Sequence, residues 1–147
     1  MLNARLFLLA PLGRLLLALP FIVSAPGKLM APIATAGYMA SAGLPDSTSL
    51  AVAVGLFEIV AALALIAGFK ARWAALALAL FTLAASLMFH HFWDVPVEQQ
   101  FVQQLLFTKN IAIVGGLLFL TGMGAGAWSV EPEEDRGEPR QPATSAI

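Results

Sequence analysis

Six side chains in this sequence have the chemistry to bind a polar group or move a proton. They are Arg14, Lys28, Glu58, His90, Lys109 and Asn110, and each interrupts or ends a long apolar run. A charge at mid-bilayer depth costs roughly 2.5–3.5 kcal/mol unless it is paired or wetted, so a short chain that keeps one on every apolar run is expected to use it. Arg14, Phe21 and Lys28 recur every seven residues and therefore share one stripe of a helix. Pairing Arg14 with Glu58 would neutralise the two deepest charges. Lys28, His90, Lys109 and Asn110 would then form a donor-rich, net-positive pocket. Such a pocket suits an anionic or carbonyl-bearing head group on an apolar tail: a quinone, a lipid phosphate or a small oxyanion. Histidine and a buried carboxylate can pass protons during quinone reduction or oxidation. None of the six carries electrons, so a redox role calls for a partner protein or a bound cofactor. No catalytic residue is assigned.

Structural readings compete with each of these roles. An Arg14–Glu58 pair would also fix helix register, and Lys28 could snorkel to the interface as an anchor. His90 and His91 point about 100° apart on a helix, which disfavours a shared metal site. Lys109 is harder to dismiss, because it lies inside a run beside Asn110. Gly115, Gly116, Gly122, Gly124 and Gly126 fit close helix packing and a turn rather than a phosphate loop, since no strand precedes them. There are no cysteines, which excludes a thiolate nucleophile, an iron–sulfur cluster and a thiol-based zinc site within this chain.

The elements that position these residues follow from composition. Of 147 residues, 59% are hydrophobic and only 12% charged, and mean hydropathy is +0.82. Soluble domains carry about 25% charge, so this is an integral membrane protein in one domain, with the bilayer as its main partner. A net charge of −1 without a basic stripe excludes a nucleic-acid partner. Apolar runs at 6–24, 50–69, 71–92 and 105–123 each approach the ~20 residues needed to span hydrocarbon. Without water to satisfy the backbone they are helices, giving an all-α four-helix bundle. Trp73, Trp93 and Trp128 fall at or just past span ends, where indoles prefer to sit. Arg5 followed by an apolar stretch mimics a signal peptide, but Arg14 breaks the pattern, so the first span is expected to be retained.

The basic link Gly68-Phe69-Lys70-Ala71-Arg72 places that side in the cytoplasm, together with both termini. The segment 32–42 starts at a proline and ends before Gly43; it is too short to span and reads as an interfacial or re-entrant helix in the first outer loop. Gln-rich 97–104 reads as a helical lead-in to the fourth span. The membrane domain is expected over 1–130, and 131–147, rich in Glu, Pro and Arg, as a disordered cytoplasmic tail.

Several elements in order carry a family resemblance. Arg14 is followed by Gly27-Lys28, then by Gly43-Leu44-Pro45; Glu58 leads into the Gly68–Arg72 link. His90-His91-Phe92-Trp93, Phe107-Thr108-Lys109-Asn110, Gly115-Gly116 and Gly124-Ala125-Gly126-Ala127-Trp128-Ser129 complete the series. Over about residues 5 to 130 the chain resembles the DoxX family of small four-helix membrane proteins of the bacterial inner membrane, with His90 matching the family's His-x-Phe-Trp histidine. Some relatives are associated with membrane redox complexes, including a thiosulfate:quinone oxidoreductase subunit. The resemblance therefore implies a quinone-linked subunit, with a quinone or sulfur-oxyanion site built from Arg14, Lys28, Glu58, His90 and Lys109. A non-catalytic binding or assembly module is the alternative, and a small transporter a more distant one.

Overall fold

The computed structural model describes residues 8–130, which form five α-helices and one turn of 3-10 helix, with no strand among them. Helix α1 covers Leu9–Met30, α2 Pro32–Ser41, α3 Thr48–Ala67, α4 Ala71–Phe89 and α5 Val97–Met123, with the 3-10 turn at Phe92–Asp94. Helices α1, α3, α4 and α5 are long and apolar enough to cross a membrane. The expected tail at 131–147 lies outside the described residues.

Three boundaries differ from the hydropathy reading, each for a physical reason. Helix α1 runs on through Pro20 and Pro26 to Met30, six residues beyond the apolar run that ended at Ser24. Apolar content falls there, but helical geometry does not, so Lys28 sits in the last turn of the helix. The third helix stops at Phe89, and the chain then folds into the 3-10 turn. The Gln-rich segment is helical, as expected of a lead-in, but it runs unbroken into the fourth span as the 27-residue α5, which therefore begins at Val97.

Helix α1 packs along α3, and α4 along α5; α3 and α4 join the two pairs, whereas α1 and α5 meet only locally. The core between them is built largely from alanines, among them Ala18, Ala61, Ala62, Ala75 and Ala79, with Phe21, Leu65, Leu78 and Leu117 as the large side chains. Small residues let backbones approach closely where lipid supplies no hydrophobic drive. Helix α2 seats Ala36 and Met39 against Ala51 of α3, and Tyr38 stacks on Phe89 of α4 at 4.9 Å.

The turn between α3 and α4 depends on Gly68, whose φ of 72° is cheap only without a Cβ. There the Gly68 and Phe69 amides donate to Leu65 O and Ala64 O, the reciprocal pattern that closes a helix on a left-handed residue. At the other end of α3, the Ser47 hydroxyl accepts from the Leu50 amide at 3.3 Å, satisfying a first-turn donor. The Gly68 end of the bundle, which also holds residues 8 and 130, is termed proximal below; the α2 end is distal.

Candidate functional site

The six candidate residues do not converge. The structure distributes them over four places, and the expected Arg14–Glu58 pair does not form. Helices α1 and α3 run antiparallel in fixed register: Arg14 lies against Gly68, Ser24 bonds Glu58, and Lys28 lies against Gly55. Glu58 and Gly68 are ten residues apart, about 15 Å along α3, which is too far for Arg14 to bridge.

Glu58 instead pairs with Lys28. Lys28 Nζ stands 3.1 Å from Glu58 Oε1 and 2.8 Å from Oε2. Ser24 Oγ donates to Oε2 at 2.9 Å, and Lys28 Nζ also approaches Ser24 Oγ at 3.2 Å. Glu58 is 3% exposed, so the carboxylate is out of solvent. One quarter of the Lys28 side chain remains accessible. Both carboxylate oxygens are held by donors, which is what a buried charge requires. Ser24 was missed in the sequence; its position one turn before Lys28 was the available signal.

Arg14 is a proximal clamp. Its Nη1 donates to Ala125 O at 3.2 Å, and its Nη2 to Ala127 O at 3.3 Å and Trp128 O at 2.7 Å. It is 1% exposed. A methyl on Gly68 would collide with this guanidinium and with Ser129. From α4, Arg72 Nη1 donates to Gly122 O at 3.3 Å. The two arginines therefore satisfy carbonyls at and beyond the end of α5, where the helix leaves acceptors and partial negative charge unpaired. The Val130 amide donates to Ala67 O at 3.0 Å and fixes the segment beyond α5 against α3.

At the distal end, His90 Nδ1 lies 2.9 Å from Gln103 Oε1. A Gln oxygen can only accept, so Nδ1 is the donor in this bond. His91 Nδ1 bonds Met88 O at 3.1 Å instead; both histidines lie beyond the end of α4 rather than on neighbouring helix positions. Phe92, Trp93 and Phe107 pack edge to face beside them, at centroid separations of 5.2 to 5.8 Å. No group of three metal-ligating side chains occurs among the described residues.

Lys109 is exposed and Asn110 half-buried on α5. Neither side chain makes a hydrogen bond or ion pair among the described residues. The arrangement thus offers an engaged carboxylate–ammonium pair, a histidine bonded to a glutamine side chain, and two open donors on α5.

The DoxX family model matches residues 9–91. Inner membrane protein YphA of Escherichia coli (strain K12) is 32% identical over 120 residues, covering 82% of this chain and 86% of that protein. Inner membrane protein YqjF of the same organism is 34% identical over 119 residues, covering 81% and 86%. A Surfeit locus protein 4 homolog of Schizosaccharomyces pombe is 32% identical over 85 residues, 56% of this chain but 28% of that protein. No solved structure matches.

Proposed function

Because the chain belongs to the DoxX family of integral membrane proteins, we propose that it is a quinone-linked membrane subunit whose distal half receives the quinone head group. The observation that carries this reading is the Lys28–Glu58–Ser24 group. A carboxylate 3% exposed is held by an ammonium that itself stays partly accessible. An incoming carbonyl oxygen can accept from Lys28, and Glu58 can take or release a proton as Lys28 turns from it. Reducing a quinone to its quinol consumes two electrons and two protons. The electrons come from a redox partner protein, because no residue of this group can carry them. His90 is a second group at the same end through which a proton can be relayed from the aqueous side to the quinone oxygen.

In this reading the proximal end faces the cytoplasm, which puts Arg72, Lys70 and both termini there, in accord with the bias of basic residues toward that side. Residues 1–130 act as the membrane domain. Helix α2 then lies in the outer interface, where its exposed Ile33 and Tyr38 meet head groups and acyl chains.

The test is extraction of gently solubilised protein followed by quinone quantification, wild type beside Glu58→Gln. We expect near-stoichiometric quinone in the wild type and about a tenfold loss in the variant, since hydrogen bonds to charged groups contribute about 1.5–3 kcal/mol. Quinone-free wild-type protein, or equal content in a folded variant, would overturn the reading.

A further inference from the structure

Taking the distal half as the receiver of an amphiphile's head group, as proposed above, we propose that the head group enters sideways from the lipid, between α1 and α5. Lys109 and Asn110 then hold it from the α5 side, opposite Ser24, Lys28 and Glu58.

The register of α1 against α5 supports this placement. Their local contact is Gly116 on Leu17: a methyl on Gly116 would come within 2.8 Å of Leu17 Cδ2. From that point, seven residues distally along α1 reach Ser24, and seven residues distally along α5 reach Lys109. Seven residues are close to two turns, so each side chain stays near the stripe of its starting residue. Lys109 therefore stands level with Ser24, on the flank of α5 that turns toward α1. The same matched stepping holds between α1 and α3, where Arg14, Ser24 and Lys28 meet Gly68, Glu58 and Gly55 in turn.

The seam between α1 and α5 is closed on one half only. Proximally, Leu17 fills the space beside Gly116, and the segment beyond α5 is drawn onto α1 by Arg14, with Ala10 against Gly126. Distally, Ser24 and Lys28 continue the Leu17 stripe and are half-buried; Gly27, on the flank about 80° round from that stripe, is exposed, and nothing stands within 4 Å of a methyl there. Across from them, Lys109 is exposed and without a partner among the described residues.

Depth supplies the second argument. Lys109 lies fourteen residues from Met123, about 21 Å along α5, or roughly two-thirds of a ~30 Å hydrocarbon span. An ammonium and an amide at that level lack water, and an acceptor oxygen supplied by a ligand would satisfy both. The ligand class is an amphiphile whose head presents acceptor oxygens on two sides while its tail stays in the bilayer. A quinone has that chemistry, and an anionic phospholipid shares the acceptor oxygens.

The test uses full-length protein in phosphatidylcholine nanodiscs, offered decylubiquinone or phosphatidylglycerol and read by native mass spectrometry. Wild type is compared with Lys109→Ala, Lys109→Arg, Glu58→Gln and Gly27→Trp, the last filling the mouth while leaving every polar group in place. We expect decylubiquinone retention to fall about tenfold or more in Lys109→Ala and Gly27→Trp, and to persist in Lys109→Arg. Retention of phosphatidylglycerol alone, with the same dependence on Lys109 and Gly27, would keep the lateral site and remove the quinone. Decylubiquinone lost in Glu58→Gln but indifferent to both Lys109→Ala and Gly27→Trp would keep the quinone and overturn the lateral site. Wild-type protein that retains neither probe would overturn both.

Discussion

At the residue scale, the chain places a buried anion against a cation that reaches it from the end of its helix. Glu58 has two donors, Lys28 and Ser24, and its bonds run 2.8 to 3.1 Å. Removing one partner leaves the other uncompensated, which costs about 3–5 kcal/mol for a fully buried pair and less here, because Lys28 is partly accessible. Lys28→Met should therefore lower the thermal midpoint. Exchanging the pair, Lys28→Glu with Glu58→Lys, should recover part of the loss in a double-mutant cycle; independent, additive losses would argue against the pair. Gly68→Ala is expected to cost more than its backbone strain of about 1–3 kcal/mol, because the added methyl also meets Arg14. Chemical denaturation of that single variant checks it. The types of these residues were legible in the sequence, since ionisable groups in apolar runs are conspicuous. The pairing was not legible. Arg14 and Lys28 share one stripe of α1, and only the register of α1 on α3 decides which of them meets Glu58.

At the element scale, the four spanning helices were readable from run length, and the short helix α2 from its leading proline and closing Gly43. The end of α1 was not. Hydropathy marks where apolar residues stop, whereas the helix persists for another turn and a half through Pro26, carrying Lys28 into reach of Glu58. Likewise, the glutamines before the fourth span looked like a lead-in, yet Gln103 is the residue that orients His90. Gln103→Leu removes that acceptor. We expect the His90 ring nitrogens to show a mixture of tautomers by 15N NMR where the wild type shows one, with a stability loss of about 0.5–1.5 kcal/mol. An unchanged spectrum would mean that another group orients the ring.

At the scale of the whole molecule, two helix pairs share one alanine-rich core, and the remaining seam between α1 and α5 is fastened at the proximal end by Arg14. Ending the chain after Met123 should leave that guanidinium buried without its three carbonyl acceptors. The expected result is a fall in stability of several kcal/mol, roughly the 3–5 associated with an abandoned buried charge, visible as a lower melting temperature in detergent. Arg14→Met in the truncated chain should restore part of it. The clamp also imposes a timetable on synthesis. Arg14 leaves the ribosome more than a hundred residues ahead of the carbonyls that satisfy it, so the first span enters the bilayer with its guanidinium still unmet. Until the segment beyond α5 follows, that span is only provisionally inserted. Nascent chains arrested before residue 124 should be short-lived in pulse-chase experiments, and those arrested after 130 and cleared of the exit tunnel should persist.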